Sequence, residues 1–238
     1  MSDAPHVVSG GASGLGRATV ELLLARGEHV MVIDRAPEPP DLAGRVAYVR
    51  HDLHDLEGLP VALGHTLGED PSVRSVVASA GLGLSDHFAS TPVAQWRDVI
   101  DTNITAAVAL IQALVPALAR EAAASGSADV ITIGSVVDEN FYPGSTVYGV
   151  TSAALRMLSR HLRQELRELG IRVANVAPGY VRSPWAEALT LTSEDYQRLG
   201  PDLITIDDVA AILDYVLHRP DGVVVHDIVA VSTKQGWG

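Results

Sequence analysis

The chain contains no cysteine, which excludes disulfides, thiolate metal sites and cysteine nucleophiles and fits a cytoplasmic setting. Lysine is almost missing too: Lys234 stands alone among 17 basic residues, the rest being arginines. Positive charge is in the minority, with a formal net charge of −12, which argues against a nucleic-acid surface or an anionic-membrane partner. The start, MSDAPHVVSGG, lacks the basic and long apolar stretches of a signal peptide. The most apolar long segment, Ile104 to Ala119, is interrupted by Thr105, Gln112 and Pro116 and falls short of the ~20 residues a membrane span needs. These absences predict a soluble, cytoplasmic protein.

What is present is the composition of a globular chain: 238 residues, 47% hydrophobic and 19% charged, enough to bury a real core. Apolar, β-rich runs at 6–9, 29–33, 46–49, 73–78, 129–133, 171–177 and 222–231 alternate with helical patterns near 15–26, 55–67, 92–123, 148–169 and 205–218. Several runs lack the alternation of a half-exposed strand, as expected of a parallel sheet covered on both faces. In 151–169 the leucines at 155, 158, 162, 166 and 169 fall three or four apart, before Gly170, the pattern of one helix face and its stop. The alternation predicts a single α/β domain over 1–238: a Rossmann-like, doubly wound parallel sheet of about seven strands with helices on both faces. The Pro-rich APEPP at 36–40 is a surface loop within one crossover.

The first strand runs into SGGASGLGRATVELL, with Gly10, Gly14 and Gly16 where a helix begins. Glycine permits the tight turn and removes the Cβ that would hold a pyrophosphate off the backbone amides. The helix N-terminus adds unpaired donors and partial positive charge. Asp34 closes the second strand, 18 residues after Gly16. A carboxylate there accepts bonds from the adenosine ribose hydroxyls and repels a 2′-phosphate, which favours NAD over NADP. Arg35 pulls the other way, while Ser13 adds no positive charge.

From these motifs the chain resembles the short-chain dehydrogenase/reductase family over essentially its whole length. SGGASGLG (9–16) is similar to its glycine loop, with Ser9 for threonine; HDL (51–53) places Asp52 and Leu53 at the adenine. ASAG (78–81) keeps Ala80 and Gly81 but loses two asparagines. PGYVRSP (178–184) resembles the segment that holds the nicotinamide carboxamide. By this resemblance the cofactor contacts are Gly10, Ser13, Gly14, Leu15, Gly16, Asp34, Arg35, Asp52, Leu53, Ala80, Gly81, Tyr148, Ser152, Pro178, Gly179, Val181 and Ser183. YPGSTVYGVTSAAL (142–155) and HDIVAVSTKQ (226–235) look like the subgroup acting on serine and 3-hydroxy acids. The resemblance also implies a substrate lid over 184–204, including Trp185, and pairing through the helices of 104–119 and 152–169 into a homodimer or homotetramer.

The family's catalytic groups map onto Tyr148 as proton carrier, Ser135 as partner of the substrate oxygen and Asn103 as anchor of a water. The family's lysine, four residues after the tyrosine, is here Ser152. Without a nearby cation a phenol titrates near pKa ~10, so its ionised form at pH 7 is disfavoured by roughly 4 kcal/mol. That handicaps alcohol oxidation, which needs tyrosinate as base, more than carbonyl reduction, which needs the phenol as acid. Arg156, four residues beyond Ser152 on the same face, and Lys234 are the candidate replacement cations. Asp138 and Glu139 either pair with a substrate amine or decorate an exposed turn. HDLHD (51–55) reads as a solvated loop, with no metal site expected.

These readings lead to an NAD(H)-dependent oxidoreductase acting on a small carbonyl or hydroxyl compound, with reduction favoured. The rivals are a non-redox cyclase, dehydratase or isomerase using Tyr148 and Ser135, and a dinucleotide-binding pseudoenzyme.

Overall fold

A computed structural model describes residues 3–84, 87–141, 143–183 and 202–236. The strands are β1 His6–Ser9, β2 Val30–Asp34, β3 Ala47–Arg50, β4 Ser75–Ala78, β5 Ala128–Ile133, β6 Ile171–Pro178, β7 Val181–Arg182, β8 Ile204–Thr205 and β9 Asp227–Ala230. The helices are α1 Gly14–Ala25, α2 Leu59–Leu67, α3 Val93–Ile100, α4 Ala106–Ser125, α5 Thr146–Leu166 and α6 Ile206–Leu217. A π turn, Asp101–Thr105, joins α3 to α4, and a 3-10 turn, Val136–Asp138, follows β5.

Seven strands form one parallel sheet in the order β3-β2-β1-β4-β5-β6-β9, and β7 pairs with β8 apart from it. Successive strand residues face opposite sides, so each strand feeds two cores. Val7, Met31, Val76, Val130 and Val173 pack under α4 and α5, while Val8, Val32, Val77, Ile131 and Val176 pack with α1 and α6 residues such as Val20 and Leu213. Burying each such aliphatic side chain contributes about 2 kcal/mol, which explains why these runs are apolar on both faces. Chain order reverses between β1 and β4, and a crevice opens beyond the carboxyl ends of strands at such a point.

Three expectations change. The strand read over 222–231 shrinks to Asp227–Ala230, the four residues that β6 pairs through Asn175–Pro178, and Val223 and Val224 are exposed. Leu155 and Leu166 are buried as the leucine stripe requires, but Leu169 is exposed because α5 tightens into a 3-10 turn at Arg167–Leu169. The apolar segment is also longer than its sequence interruptions suggest. Val93–Ser125 is continuous helix, long and apolar enough to cross a membrane by length and composition. Leu110, Ile111, Leu114 and Leu118 of its inner face are buried in the core beneath the sheet.

Candidate active site

The glycine loop is shaped by two close approaches. Gly10 has φ +68°, and a Cβ there would lie 2.9 Å from Ala80 Cα. A Cβ on Gly16 would lie 2.3 Å from the Gly10 carbonyl oxygen, so only glycine lets α1 start this close to β1. Ser9 Oγ accepts from the amides of Ser79 and Ala80, each at 3.0 Å, and stitches β1 to the loop after β4. The N-terminus of α1 has no side-chain cap and no acidic residue in its first turn. Its first amides are thus free of internal carboxylates, the arrangement that receives phosphate.

Asp34 holds the loop from the side. Its Oδ2 accepts from Ala12 N at 3.0 Å and its Oδ1 from Ala36 N at 2.9 Å, which leaves further lone pairs for ribose hydroxyls. The neighbouring Tyr48 donates to Ala36 O at 2.9 Å. Burial, then the negative charges of Asp34 and Glu38, push its phenol up to about 12. Asp34 and Glu38 share this corner with Arg35, which is exposed, and with Arg50, which donates to Arg35 O and draws the Tyr48 phenol back down. Asp52 accepts from His54 N at 3.0 Å within its own turn, and Leu53 is buried.

A cavity of 340 Å³ collects most of the remaining predicted residues. Gly10, Ser13, Gly14, Leu15, Gly16, Ala80, Gly81, Pro178, Gly179, Val181 and Ser183 share it with Ser135, Tyr148, Ser152 and Asn103. Asp34, Arg35, Asp52 and Leu53 do not line it. Leu82, Val137, Pro143, Ser145, Tyr180 and Ile206 line it as well, without having been singled out in the sequence. None of the described lining residues has a charged side chain.

Tyr148 lies in the first turn of α5, facing Ser135 at the end of β5. The phenol hydrogen-bonds the side chains of both Ser135 and Ser152. Burial pushes it up and the carboxylate of Asp138 pushes it further, while the two serine bonds only partly offset this. Ser152 is buried, so its hydroxyl serves the phenol as well as facing the cavity. Asn103, in the π turn, donates to Leu82 O at 2.8 Å and Thr151 Oγ1 at 3.0 Å and accepts from Leu82 N at 2.7 Å. Its side chain clamps the 81–82 loop to α5, and the implied water-anchoring role does not fall to its amide hydrogens.

Neither replacement cation is free to serve Tyr148. Arg156 is buried and forked onto Asp138, with Nη2 donating to Oδ1 at 2.9 Å, while Nη1 donates to Glu139 Oε1 at 3.0 Å. Asp138 and Glu139, read as a substrate-amine pair or an exposed turn, both pair with Arg156, Asp138 buried and Glu139 exposed. Lys234 pairs with Asp202 at 2.9 Å, on the surface. In HDLHD, His51 bonds Asp55 O and His54 bonds Thr102 Oγ1, each at 2.8 Å. No cluster of three His, Asp or Glu suited to a metal occurs among the described residues. Trp185 and 184–201 of the expected lid lie outside the described residues. Gln235 was legible only as part of an ending; its Oε1 accepts from Tyr180 N at 3.0 Å and lies where a Cβ on Gly179 would be.

Residues 6–194 match the family model of the short chain dehydrogenases. The chain is 29% identical to sulfoacetaldehyde reductase of Chromohalobacter salexigens over 241 residues, covering 97% of this chain and 94% of that protein. It is 27% identical to serine 3-dehydrogenase of Rhizobium radiobacter over 242 residues, with the same coverages, 97% and 94%. A serine dehydrogenase complexed with NADP+ superposes with a TM-score of 0.84 at 22% identity, covering 98% of this chain and 96% of that one. A 3-ketoacyl-(acyl-carrier-protein) reductase from Brucella melitensis complexed with NADH gives 0.84 at 18% identity, covering 95% and 96%. At these identities the solved structures establish the fold.

Proposed function

Because the chain belongs to the short chain dehydrogenase family and is an oxidoreductase of that type, we propose that it is an NAD(H)-dependent reductase of a small carbonyl compound, with oxidation of the alcohol disfavoured. The observation that carries this is the Tyr148 phenol, bonded to Ser135 and Ser152 in a cavity continuous with the glycine loop. The cradle fits a dinucleotide: at Gly10 and Gly16 a Cβ would collide with backbone, and the α1 amides are uncapped. Gly14, Leu15 and Gly16 would hold the pyrophosphate, Asp34 the adenosine ribose, and Ser183 with Val181 the nicotinamide end. When bound, the dinucleotide supplies the hydride.

The chain's own residues handle the oxygen. Ser135 Oγ orients and polarises the carbonyl, and Tyr148 Oη gives it a proton. A phenol held above its ordinary range by burial and Asp138 is protonated at neutral pH, which is the form needed. The reverse reaction needs tyrosinate, and no cation among the described groups acting on the phenol stabilises it. Asp34, whose carboxylate would accept from the ribose hydroxyls and repel a 2′-phosphate, supports NADH over NADPH. The described lining, polar through Ser135, Tyr148 and Ser152 and otherwise largely apolar, supports a small carbonyl compound as substrate. Val108, Val150 and Met157, exposed on α4 and α5, support pairing into a homodimer or homotetramer.

The test is cofactor binding by fluorescence, then NADH consumption with a panel of uncharged and anionic carbonyls. Turnover is expected with small aldehydes or ketones from this panel, and the Tyr148→Phe protein should lose it by about 10²-fold or more. Product without NADH consumption, or an alcohol-oxidation optimum near neutrality, overturns the proposal.

A further inference from the structure

Arg156 and Asp138 lie behind the cavity, outside its lining. The Arg156 side chain is 9% exposed and that of Asp138 2%. A pair so deeply buried loses much hydration, and its two members come from the two elements that carry the reacting groups. Asp138 ends the 3-10 turn that Ser135 caps, and Arg156 sits on α5 eight residues after Tyr148. The turn meets the helix at a second point: a Cβ on Gly149 would lie 3.2 Å from Val137 O. The fork at Arg156 and the bare backbone at Gly149 together fix the turn against the helix.

We propose that Arg156 and Asp138 are positioning residues for the reaction: their ion pair locks the Ser135 turn onto α5 and presents a carboxylate, not a guanidinium, toward Tyr148. The inference rests on the reading of Tyr148 as proton donor. Other charges near the phenol's elements do not compete. Arg97, Asp98 and Asp101 lie on α3 and the π turn, Asp129 and Arg172 pair with each other at the start of β5 and β6, and Arg160 and Arg163 lie near Asp227. Of the charged groups, Asp138 is the one that acts on Tyr148. Glu139, 62% exposed, is the outer member of the triad and holds the guanidinium from the solvent side.

The experiment is a spectroscopic titration of Tyr148, read by rapid pH jump as the difference between each protein and its Tyr148→Phe counterpart. Asp138→Asn should move the titration to lower pH, since an anion is removed and Arg156 is left uncompensated. Arg156→Met should move it to higher pH, since Asp138 is then unbalanced. Both should lower reductase kcat about tenfold with little change in cofactor KM, as expected for misplaced groups rather than lost binding. Titrations that stay put, or move in the same direction, overturn the proposal. If either variant fails to fold, Asp138→Glu and Arg156→Lys keep the charges but alter the fork. Wild-type kcat in both of these would equally overturn it. A wild-type protein that reduces no carbonyl while the titrations still diverge sinks the functional reading and with it the positioning role, whereas turnover with unmoved titrations sinks the positioning role alone.

Discussion

At the carboxyl edge of the sheet, Gly10, Ala80, Ser135 and Pro178 surround a cavity whose described lining is uncharged. The amino edge, where the same strands begin, is dense with paired charge. Asp129 accepts two 2.7 Å bonds from Arg172, whose Nη1 also reaches Arg219 O at 2.9 Å and Pro220 O at 3.0 Å. His6 bonds Ser75 Oγ at 2.7 Å and faces Glu28 at 3.3 Å, and Glu28 continues to His218 at 2.9 Å. One edge pairs its charges with one another, and the other carries the uncapped amides at the start of α1. Stability and chemistry are thereby separated along the strand direction, and three measurements can break or sharpen that separation.

The largest effect is expected at the amino edge. Arg172→Met leaves Asp129 buried and unpaired, which should cost about 4 kcal/mol in urea unfolding while altering kcat less than twofold. A matching loss of activity in the folded protein would show that the edges are coupled. Next is the acid response. Burial holds His6 down at about 4 against an ordinary 6.5, although Glu28 pulls it back up. The native state thus refuses a proton that the unfolded chain accepts. Stability is complete above pH 6.5 and is lost as pH falls toward 4, by about 3 kcal/mol. His6→Gln should flatten that limb of the stability profile; an unchanged slope refutes the assignment. The smallest effect is at the carboxyl edge. Ser152→Lys puts a cation beside Tyr148 and should raise alcohol oxidation at pH 7 about tenfold, or 1.4 kcal/mol. No gain with correctly bound cofactor would mean that the missing charge is not what limits oxidation.

The sheet was readable because its strands are aliphatic on both faces, and periodicity reports that directly. The glycine loop was readable because close backbone approach permits only one residue type. Arg156 was not: its four-residue offset from Ser152 suggests a shared face, but the Asp138 turn that captures it comes from another element. The π turn around Asn103 leaves no periodic trace, since one altered turn is lost within a helix of 33 residues. The charges of the amino edge were opaque for a similar reason. Asp129, Arg172 and His6 each look like isolated polar residues at strand starts until the register β5–β6 and β1–β4 brings their partners alongside.

The contact between Gly10 and Ala80 has an evolutionary consequence. The width of the crevice at the switch point is set by main chain against main chain, with Ser9 fastening the two sides. Side-chain replacement elsewhere around the cavity does not reset that gauge. Residues such as Pro143, Ser145 and Tyr180 can therefore drift toward new substrates without retuning the cradle, much as a tool holder accepts different bits. The same gauge makes position 10 a single point of failure, because any side chain there would pry the two halves of the sheet apart.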